Sequence, residues 1–278
     1  MIISAQLAVE AMSTSMSMSM KDNGTLLKVQ RQAQIRKMVE ERGQVTVTEL
    51  SPIFNVSEAT IRRDLEECSE RGWLRRTHGG AVKIERAVKE LPIGERINRS
   101  AEAKKRIGKK AAEMITDGQT IFLGSGTTVL EVARHLPIDI SLTVITNSVL
   151  LIDELIQRPQ IDIIVIGGML RRSELSMVGH VASQAVQEFR ADKVFMGIHA
   201  IDLTHGFTNA YIPEAVVDRE ILKIAPQIVI LADHTKFSKV STVFVTSASS
   251  VDMIITDIET PDDVVEGFEE VMIQVLRA

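Results

Sequence analysis

The chain has 278 residues, enough for two domains, and its 45% hydrophobic and 25% charged residues are ordinary for a soluble protein. The net charge of −5 excludes a protein that is basic throughout. No run of about 18 apolar residues occurs, so we expect no membrane-spanning helix. Cys68 is the only cysteine, which excludes an internal disulfide and a cysteine-based metal cluster and fits a reducing, cytoplasmic location.

Charge is unevenly distributed along the chain. Leu26 to Arg86 contains 12 Lys and Arg against 9 Asp and Glu, whereas the remainder after Arg86 is net acidic. A polyanionic partner would therefore meet the N-terminal part of the chain. The first 25 residues are rich in Ser and Met and carry no basic residue before Lys21, so we interpret them as a flexible extension; a membrane-touching helix is the alternative.

Three helices are predicted in the N-terminal part. The first spans residues 26–43, where apolar residues recur at three- and four-residue spacing, and it ends at Gly43. The second is short and has Thr48 as its predicted N-cap. The third runs from Glu58 to Arg71, with Ser57 as N-cap and a glycine after its last residue.

A hairpin is predicted after the third helix. The stretch "WLRRTHGGAVKI", residues 73–84, consists of two short apolar-containing runs joined by Gly79 and Gly80. Helix, helix, turn, helix and hairpin in this order are typical of a winged helix-turn-helix domain.

The third helix separates its charges along its length. Ile61, Leu65 and Cys68 form an apolar stripe that should face the core. The opposite face is basic early, at Arg62 and Arg63, and acidic late, which runs against the helix dipole. A helix that places only its first two turns in a major groove would have this order, because its arginines meet guanine edges or phosphates there. The alternative is that these arginines are surface residues paired with nearby glutamates.

A second arginine pair, Arg75 and Arg76, lies at the entry to the predicted hairpin. A wing at this position would follow the DNA backbone or reach a minor groove. The two pairs together favour a DNA-binding segment over simple surface arginines. Cys68, on the apolar stripe, is interpreted as a small core residue and not as a redox switch.

The C-terminal part predicts an α/β domain. Short β-branched runs alternate with helix-like segments, which indicates layers around a mostly parallel sheet. The runs are "QTIFL", "LTVIT", "IDIIVIGG", "DKVFMGI" and "QIVILAD". We therefore predict four segments: a flexible extension at 1–25, a winged helix-turn-helix domain at 26–84, a charged linker at 85–102 and an α/β domain at 103–278.

A candidate anion site lies in "GSGTT", residues 124–128, between a predicted strand and a predicted helix. Gly124 and Gly126 allow a tight turn with exposed N–H groups, and Thr127 and Thr128 add hydroxyls at a helix N-terminus. The stretch is neither a Walker motif nor a dinucleotide fingerprint. A plain turn from strand to helix is the alternative.

Polar residues follow other predicted strands, and in open α/β sheets ligands bind at the carboxyl ends of the strands. Asn147 follows "LTVIT", Asp233 ends "QIVILAD" with Lys236 three residues on, and Glu214 begins a predicted helix. Hydroxyls, amides, a lysine and two carboxylates at one sheet edge suit a small polyhydroxylated anion such as a sugar phosphate.

The N-terminal motifs resemble those of the DeoR family of bacterial transcriptional regulators. The matching stretches are "SEATIRRDL", residues 57–65, and "LRRTHGGAV", residues 74–82, with Arg31, Ile35 and Val39 upstream. The resemblance implies double-stranded operator DNA as a partner. The DNA-contacting residues that it implies are Ser57, Thr60, Arg62 and Arg63, supported by Arg75, Arg76 and His78.

The resemblance continues through "AEAKKRIGKKAAEMITDGQTIFLGSGTTVLEVARHLP", "IGGMLRRSELSMVG" and "LADHTKF", and covers nearly the whole chain after residue 25. It implies a Rossmann-like α/β sensor domain, similar to ribose-5-phosphate isomerase, glucosamine-6-phosphate deaminase and CoA transferases, that binds phosphorylated sugars without catalysis. The implied phosphate-binding residues are Ser125, Gly126, Thr127 and Thr128. The implied sugar-binding residues are Asn147, Glu214, Asp233 and Lys236.

Two positions depart from the family pattern. His199 and Ala200 stand where the family often has a small Ser/Gly pair, so we expect the bulkier, titratable His199 to enter the sugar site. Asp218 stands where the family often has a lysine before Arg219. Both departures concern the identity of the effector more than the fold.

We therefore expect a non-enzymatic DNA-binding transcriptional regulator, a repressor of carbohydrate metabolism genes controlled by a phosphorylated sugar. Paired half-sites imply a homo-oligomer, a dimer or a tetramer. No cofactor, metal or membrane partner is expected. The alternatives are a sugar-phosphate isomerase or deaminase with an appended DNA-binding domain, in which Glu214, Asp233, His199 and Lys236 would do acid-base work, and an architectural DNA binder, in which the α/β domain would be idle.

Overall fold

The computed structural model describes residues 27–87 and 91–278. They form two compact units that divide between Lys83 and Ile84. The extension predicted at residues 1–25 lies outside the described residues. Within the described ranges, no helix is long and apolar enough to cross a membrane.

The first unit is a winged helix-turn-helix, as predicted. Its elements are α1 (Lys28–Arg42), β1 (Gln44–Thr46), α2 (Val47–Phe54), α3 (Glu58–Glu70), β2 (Arg75–Thr77) and β3 (Gly80–Val82). The strands form an antiparallel sheet in the order β1-β3-β2. The predicted hairpin is thus confirmed, and β1, which was not predicted, adds a third strand to it.

The helix ends of this unit follow ordinary capping rules. Gly43, with φ of +80°, ends α1 as predicted. The prediction of Thr48 as the N-cap of α2 is wrong. The side-chain oxygen of Thr46 accepts a hydrogen bond from the Glu49 N–H at 3.2 Å, so α2 begins two residues earlier. Thr46 takes this role because β1 delivers it in an extended conformation.

The core of the first unit lies between its helices and its sheet. The predicted stripe of Ile61, Leu65 and Cys68 is fully buried, which confirms the orientation of α3. Burial raises the pKa of the Cys68 thiol to about 11, so the thiol stays protonated and fits the predicted core role.

The second unit contains the α/β layers. Its strands are β4 (Glu85–Arg86), β5 (Thr120–Leu123), β6 (Leu142–Thr146), β7 (Ile161–Val165), β8 (Met169–Arg171), β9 (Ser176–Val178), β10 (Lys193–Gly197), β11 (Ala200–Asp202), β12 (Gly206–Asn209), β13 (Gln227–Leu231), β14 (Lys239–Val240), β15 (Val243–Thr246), β16 (Met253–Thr256) and β17 (Gln274–Arg277). Its helices are α4 (Ile93–Arg96), α5 (Ala101–Ala112), α6 (Thr127–His135), α7 (Val149–Leu155), α8 (His180–Gln187), α9 (Ile212–Ile221) and α10 (Asp262–Glu270), with 3-10 turns at His234–Lys236 and Ala248–Ser250.

A parallel seven-stranded sheet organises this unit, in the order β17-β16-β13-β10-β5-β6-β7. The five predicted strands are all members of this sheet, so the predicted α/β class is confirmed. Strands β16 and β17, which were not predicted, extend one edge. Residues along the strands alternate between two cores: Phe122 packs on one face of the sheet, and Ile121 and Leu123 pack on the other.

Smaller sheets surround the main one. Strands β11, β12 and β15 form an antiparallel sheet, β8 and β9 form a hairpin, and β4 pairs in parallel with β14. The main sheet therefore supplies the framework, and the smaller sheets lie beside the carboxyl ends of its strands.

The segment 85–102, which we predict as a linker, contains β4, α4 and the beginning of α5. Ile93 is buried, and its N–H donates to the Ser173 carbonyl at 2.7 Å. Burial of this apolar side chain fixes the segment around α4 on the second unit. The borders of the four predicted segments stay a prediction.

Candidate functional site

The first turns of α3 form an exposed polar and basic surface. The Ser57 side-chain oxygen accepts a hydrogen bond from the Thr60 N–H at 3.2 Å, and the two hydroxyls lie 2.9 Å apart. Arg62 and Arg63 are exposed on the face opposite the buried stripe. Arg62 pairs with Glu58 at 3.0 Å, whereas Arg63 makes no hydrogen bond or ion pair within the described part of the chain.

The hairpin brings the second arginine pair beside α3. Arg75 and Arg76 are half-buried in β2, and His78 is exposed in the turn. The Arg76 guanidinium lies 3.7 Å from the Glu66 carboxylate on the later part of α3. An acidic side chain late on the helix therefore contacts the hairpin.

A buried ion pair fixes α3 against α1. Arg31 Nε donates to Asp64 Oδ2 at 2.5 Å, and Gln32 Nε2 donates to Asp64 Oδ1 at 3.2 Å and to Glu67 Oε2 at 2.9 Å. Asp64 is only 1% exposed. Arg31 and Asp64 both belong to the family motifs, but their contact was not predicted. Asp64 lies next to Leu65 on the buried face, which was the available signal, because a buried carboxylate requires a partner.

A cavity of about 510 Å³ lies in the second unit at the carboxyl ends of β5, β10 and β13. Strand β5 pairs with β6 on one side and with β10 on the other, so the strand order reverses at β5. The loops after β5 and β10 separate at this point, which is where open α/β sheets form a crevice.

All nine residues predicted to bind an effector line this one cavity. They are Ser125, Gly126, Thr127, Thr128, Asn147, His199, Glu214, Asp233 and Lys236. Their contact with a ligand stays a prediction.

The N-terminus of α6 faces the cavity. Gly126 is its N-cap, with φ of +114°, a conformation that a residue with a Cβ rarely adopts. Thr127 and Thr128 are buried in the first turn. The first N–H groups of a helix have no partner within it, so this turn presents donors and a positive dipole end to the cavity.

Lys104, on α5, was not predicted as a site residue, yet it lines the same cavity. Its ammonium donates to the Arg96 carbonyl at 2.6 Å. Burial lowers the pKa of Lys104 to about 8; the Asp233 charge opposes this shift, and the Lys236 and Arg96 charges add to it. The signal was present in the spacing, because Lys104, Ile107 and Ala111 share the buried face of α5.

The polar groups farther along the strand ends are held by specific contacts. Asn147 Nδ2 donates to the Met177 carbonyl at 3.1 Å, and Asn147 Oδ1 is buried without a partner within the described residues. Glu214 forms an ion pair with Arg171, and the Arg171 guanidinium lies 4.7 Å from the ring centre of Tyr211. Fixed donors and acceptors of this kind suit recognition of a polar ligand.

The two departures from the family pattern also line the cavity. His199 is buried just after β10, and Asp218 is buried on α9. Asn209 Nδ2 donates to Asp218 Oδ2 at 2.8 Å. His199 therefore lines the cavity, and its entry into a sugar site stays a prediction.

Asp233 and Lys236 begin and end a tight turn after β13. Asp233 Oδ1 accepts the Thr235 N–H at 3.0 Å and also contacts the Thr235 hydroxyl. These contacts fix the turn that carries Lys236. Asp233 is therefore held by its own loop and is only 3% exposed.

A group of residues near this loop has the composition of a metal site. Ligand atoms of His234, Asp257 and Glu259 lie within 4.8 Å of one another. Asp257 already accepts the His234 and Glu259 N–H groups at 2.8 and 2.9 Å, and His234 Nδ1 lies 3.0 Å from it. These hydrogen bonds explain why the three side chains lie close together, because they join the loop after β13 to the loop after β16.

The two units define the class of protein: a winged helix-turn-helix unit is followed by an α/β unit with a ligand-sized cavity. Two family models match the chain, the DeoR-like helix-turn-helix domain over residues 31–87 and the DeoR C terminal sensor domain over residues 99–258. The chain belongs to the DeoR family of transcriptional regulators, and it is not an enzyme.

Named relatives align over most of their length. The HTH-type transcriptional regulator GolR of Listeria innocua serovar 6a is 34% identical over 82% of this chain and 90% of its own. The glycerol-3-phosphate regulon repressor of Escherichia coli strain K12 is 33% identical over 88% and 97%. Ribose 5-phosphate isomerase A from Methanocaldococcus jannaschii aligns over 50% of this chain and 55% of its own, at 18% identity and a TM-score of 0.37, a likeness too weak to support an inference.

Proposed function

We propose that this protein represses carbohydrate metabolism genes by binding operator DNA and releases that DNA when a phosphorylated sugar occupies its α/β unit. The DNA-binding part of this proposal rests on the exposure of Arg62 and Arg63 on the first turns of α3, opposite the buried stripe. The names of several relatives, among them the glycerol-3-phosphate regulon repressor, support the repressor role.

The proposed DNA contacts follow from where each side chain lies. Ser57 and Thr60, at the N-terminus of α3, would hydrogen-bond phosphates through hydroxyls and N–H groups. Arg62 and Arg63 would contact base edges or phosphates in the major groove. The hairpin residues Arg75, Arg76 and His78 would contact the flanking backbone.

The proposed phosphate contacts lie at the N-terminus of α6. Ser125, Thr127 and Thr128 add hydroxyls to the first N–H groups of this helix, and Lys104 and Lys236 line the same cavity. Donors, a helix dipole and cations together favour a phosphate dianion over a neutral group.

The proposed sugar contacts are the fixed polar groups in the rest of the cavity. Asn147 offers a buried carbonyl oxygen that has no partner within the described residues, and it would accept a hydrogen bond from a sugar hydroxyl. Glu214 and Asp233 add acceptors, and His199 and Lys236 add polar nitrogen atoms. We further propose a homo-oligomer, because operators read by helix-turn-helix proteins usually contain two half-sites.

A thermal-shift screen tests the effector half of the proposal. The panel contains ribose 5-phosphate, fructose 6-phosphate, galactose 6-phosphate and glycerol 3-phosphate, each beside its unphosphorylated counterpart. At about 100 times its Kd, a ligand stabilises the native state by about 2.7 kcal/mol, so Tm should rise with a phosphorylated member only. A rise of equal size with the unphosphorylated counterpart would refute the phosphate assignment.

The double variant Thr127→Ala, Thr128→Ala should lose this Tm shift, because it removes two hydroxyl donors from the first turn of α6. The matched control, Thr127→Ser with Thr128→Ser, keeps both hydroxyls and should retain the shift. If the alanine variant responds like wild type, the phosphate does not bind at this turn.

A mobility-shift assay tests the DNA half. The full-length protein is titrated onto the DNA upstream of its own gene, with an unrelated fragment of equal length as competitor. We expect a complex that resists the competitor and dissociates when the active sugar phosphate is added. Equal affinity for both fragments would contradict a sequence-specific regulator.

A further inference from the structure

The strand β4 follows the first unit in the chain and is hydrogen-bonded to a loop of the cavity. Glu85 and Arg86 pair in parallel with Lys239 and Val240 of β14, and the Ala87 N–H donates to the Val240 carbonyl at 3.0 Å. Residues 85–87 are therefore held in place by pairing with β14, whereas a flexible linker would have no such pairing.

Strand β14 is the direct continuation of the loop that carries Asp233 and Lys236. Within this loop, Lys239 Nζ donates to the Thr235 carbonyl at 2.8 Å, and Phe237 is buried in the core of the unit. A shift of the loop at Asp233 would therefore be transmitted to β14, because the side-chain and backbone contacts hold the two together.

The segment after β4 also forms part of the cavity wall. Ala87, Leu91 and Arg96 line the cavity. Arg96 forms an ion pair with Glu174, and its carbonyl accepts the Lys104 ammonium at 2.6 Å. A molecule in the cavity would thus touch the chain that leads to the first unit, as well as the strand-end loops.

Only Lys83 and Ile84 separate β3, in the hairpin, from β4. Lys83 is itself held in the first unit, where its N–H donates to the Gly43 carbonyl at 2.8 Å and its ammonium pairs with Glu40 at 2.7 Å. Because an extended residue spans only about 3.3–3.6 Å, a connection this short limits how far β4 can move away from β3.

We propose that β4 transmits occupancy of the cavity to the DNA-binding hairpin, through its pairing with β14 and the short connection to β3. This inference rests on the proposed function, since it names how that same cavity regulates DNA binding. A ligand that contacts Lys236 and the wall at Leu91 shifts the β14–β4 pair, and the shift pulls on Lys83 and on the hairpin. Coupling of this kind requires a different affinity of the ligand for the two arrangements.

The test lengthens the connection without changing the cavity or the DNA-binding surface. A Gly-Ser-Gly insertion is placed between Lys83 and Ile84. The matched control carries the same insertion between Ile138 and Asp139, two exposed residues in the loop between α6 and β6 that do not line the cavity. The probe is the member of the sugar-phosphate panel that raises the Tm of the wild type most.

Three quantities are measured on each full-length protein: the Tm shift with the probe, the operator Kd without it, and the operator Kd with it at saturation. For the wild type we expect the probe to weaken operator binding by a factor in the range of about 5 to 150. For the insertion at Lys83, the Tm shift should persist while this factor falls to about 1. The control insertion should keep the wild-type factor.

Each other outcome overturns the proposal in a recognisable way. If the Lys83 insertion variant keeps the full effect of the probe, β4 does not carry the signal. If the control insertion also loses the effect, the loss does not depend on the connection between β3 and β4, and the proposal fails as well. A probe that binds the wild type without changing its operator Kd refutes coupling but leaves the effector site standing. If no panel member raises the Tm of the wild type, the proposed function fails and this inference fails with it.

A second variant addresses the strand pairing itself. Ala87→Pro removes the N–H that donates to the Val240 carbonyl, and Ala87→Ser retains it. Because Ala87 also lines the cavity, each variant is compared at a probe concentration that saturates it, as judged by its Tm shift. We expect the effect of the probe on operator Kd to fall to a factor of about 1 in the proline variant and to stay measurably larger in the serine variant. Equal behaviour of the two variants would refute a role for this hydrogen bond.

Discussion

At the scale of single residues, the last turn of α3 carries acidic side chains, where a helix built only for stability would carry basic ones. Arg62 and Arg63 lie in the second turn, after Glu58 in the first. The first turns of α3 are exposed and basic, and Glu66 and Glu70, farther along, are exposed and acidic. Acidic side chains in the last turn oppose the helix dipole at a cost of about 0.3–1 kcal/mol per charge. The proposed DNA contact by the first turns would account for the order, because arginines there would meet the groove while the late carboxylates would stay clear of the phosphates.

The double variant Arg62→Ala, Arg63→Ala should lose specific operator binding. Each bidentate contact to a base contributes about 1–3 kcal/mol, so operator affinity should fall at least tenfold while both side chains' exposure leaves stability within about 0.5 kcal/mol. Fluorescence anisotropy with labelled operator measures the affinity. The charge-matched control is Lys105→Ala with Lys109→Ala, exposed lysines on α5, and a similar decrease in that control would mean that only net charge matters.

Effector affinity should decrease as pH rises, because Lys104 has a pKa of about 8 in the folded protein. A sugar phosphate is already a dianion above about pH 7, so Lys104 is the group that changes charge. We expect the Kd to rise about five- to eightfold between pH 7.5 and 9, measured by titration calorimetry. Lys104→Arg stays charged over this range and should show a much smaller change; an equal rise in that variant would exclude Lys104 as the cause.

The same pKa affects stability in the opposite direction. Lys104 is protonated up to about pH 8 in the folded state and up to about 10.5 in the unfolded state. Between these values the unfolded chain binds more protons, so the contribution of Lys104 to stability rises with pH in that window. Rising pH in this window should therefore stabilise the free protein and at the same time lower its affinity for the effector.

At the scale of elements, the sequence pattern predicted the features that depend on residues close together in the chain. The Ser57 cap, the buried stripe of α3 and the Gly79-Gly80 hairpin depend on residues within a few positions of each other, and all three were predicted. The Arg31–Asp64 ion pair joins residues 33 positions apart, and no spacing rule reveals it.

In the second unit, too, the sequence pattern predicted some strands and site residues and missed others. Four of the five predicted strands, β5, β6, β10 and β13, have continuous apolar runs because they are central strands with both faces buried. The fifth, β7, is an edge strand, and its β-branched residues gave the prediction. Strand β17 was missed because it is short and partly exposed at the sheet edge. Strand β16 was missed although all four of its residues are buried, because so short an apolar run cannot be told from a helix segment by its pattern. The predicted site residues lie together because parallel strands end at one edge, whereas Lys104 was missed because it comes from a helix that packs below that edge.

The hairpin depends on one glycine and not on its neighbour. A Cβ at Gly80 would lie 2.0 Å from the Val45 carbonyl oxygen, whereas a Cβ at Gly79 would meet nothing within 4 Å. Gly80→Ala should therefore destabilise the first unit by about 1–3 kcal/mol, and Gly79→Ala should be nearly neutral. Trp73, the only tryptophan, packs against the core of this unit, so its fluorescence during urea unfolding measures the effect. Equal stability of the two variants would contradict the strand register.

At the scale of the whole molecule, the chain combines a basic N-terminal segment with an acidic remainder. Leu26 to Arg86 has three more Lys and Arg than Asp and Glu, although the protein as a whole has a charge of −5. DNA attraction is therefore confined to the first unit, and the acidic remainder disfavours indiscriminate binding to nucleic acid.

The logarithm of the operator affinity should fall linearly with the logarithm of the salt concentration. Each neutralised phosphate contributes a slope of about −0.9, so Arg75→Ala with Arg76→Ala should reduce the slope by about 0.9 for each phosphate that these arginines bind. Affinities measured between roughly 50 and 200 mM KCl give the slope. An unchanged slope in the hairpin variant would mean that these arginines do not bind phosphates.

The burial of Cys68 has a practical consequence for spectroscopy. Its thiol is the only one in the chain, it is fully buried, and burial raises its pKa to about 11, so maleimide reagents should leave it unmodified in the folded protein. A cysteine introduced at the exposed His78 would then be the single attachment point for a fluorophore or spin label. The native sequence thus provides a background free of competing thiols, in which the proposed response of the hairpin to a sugar phosphate can be tested.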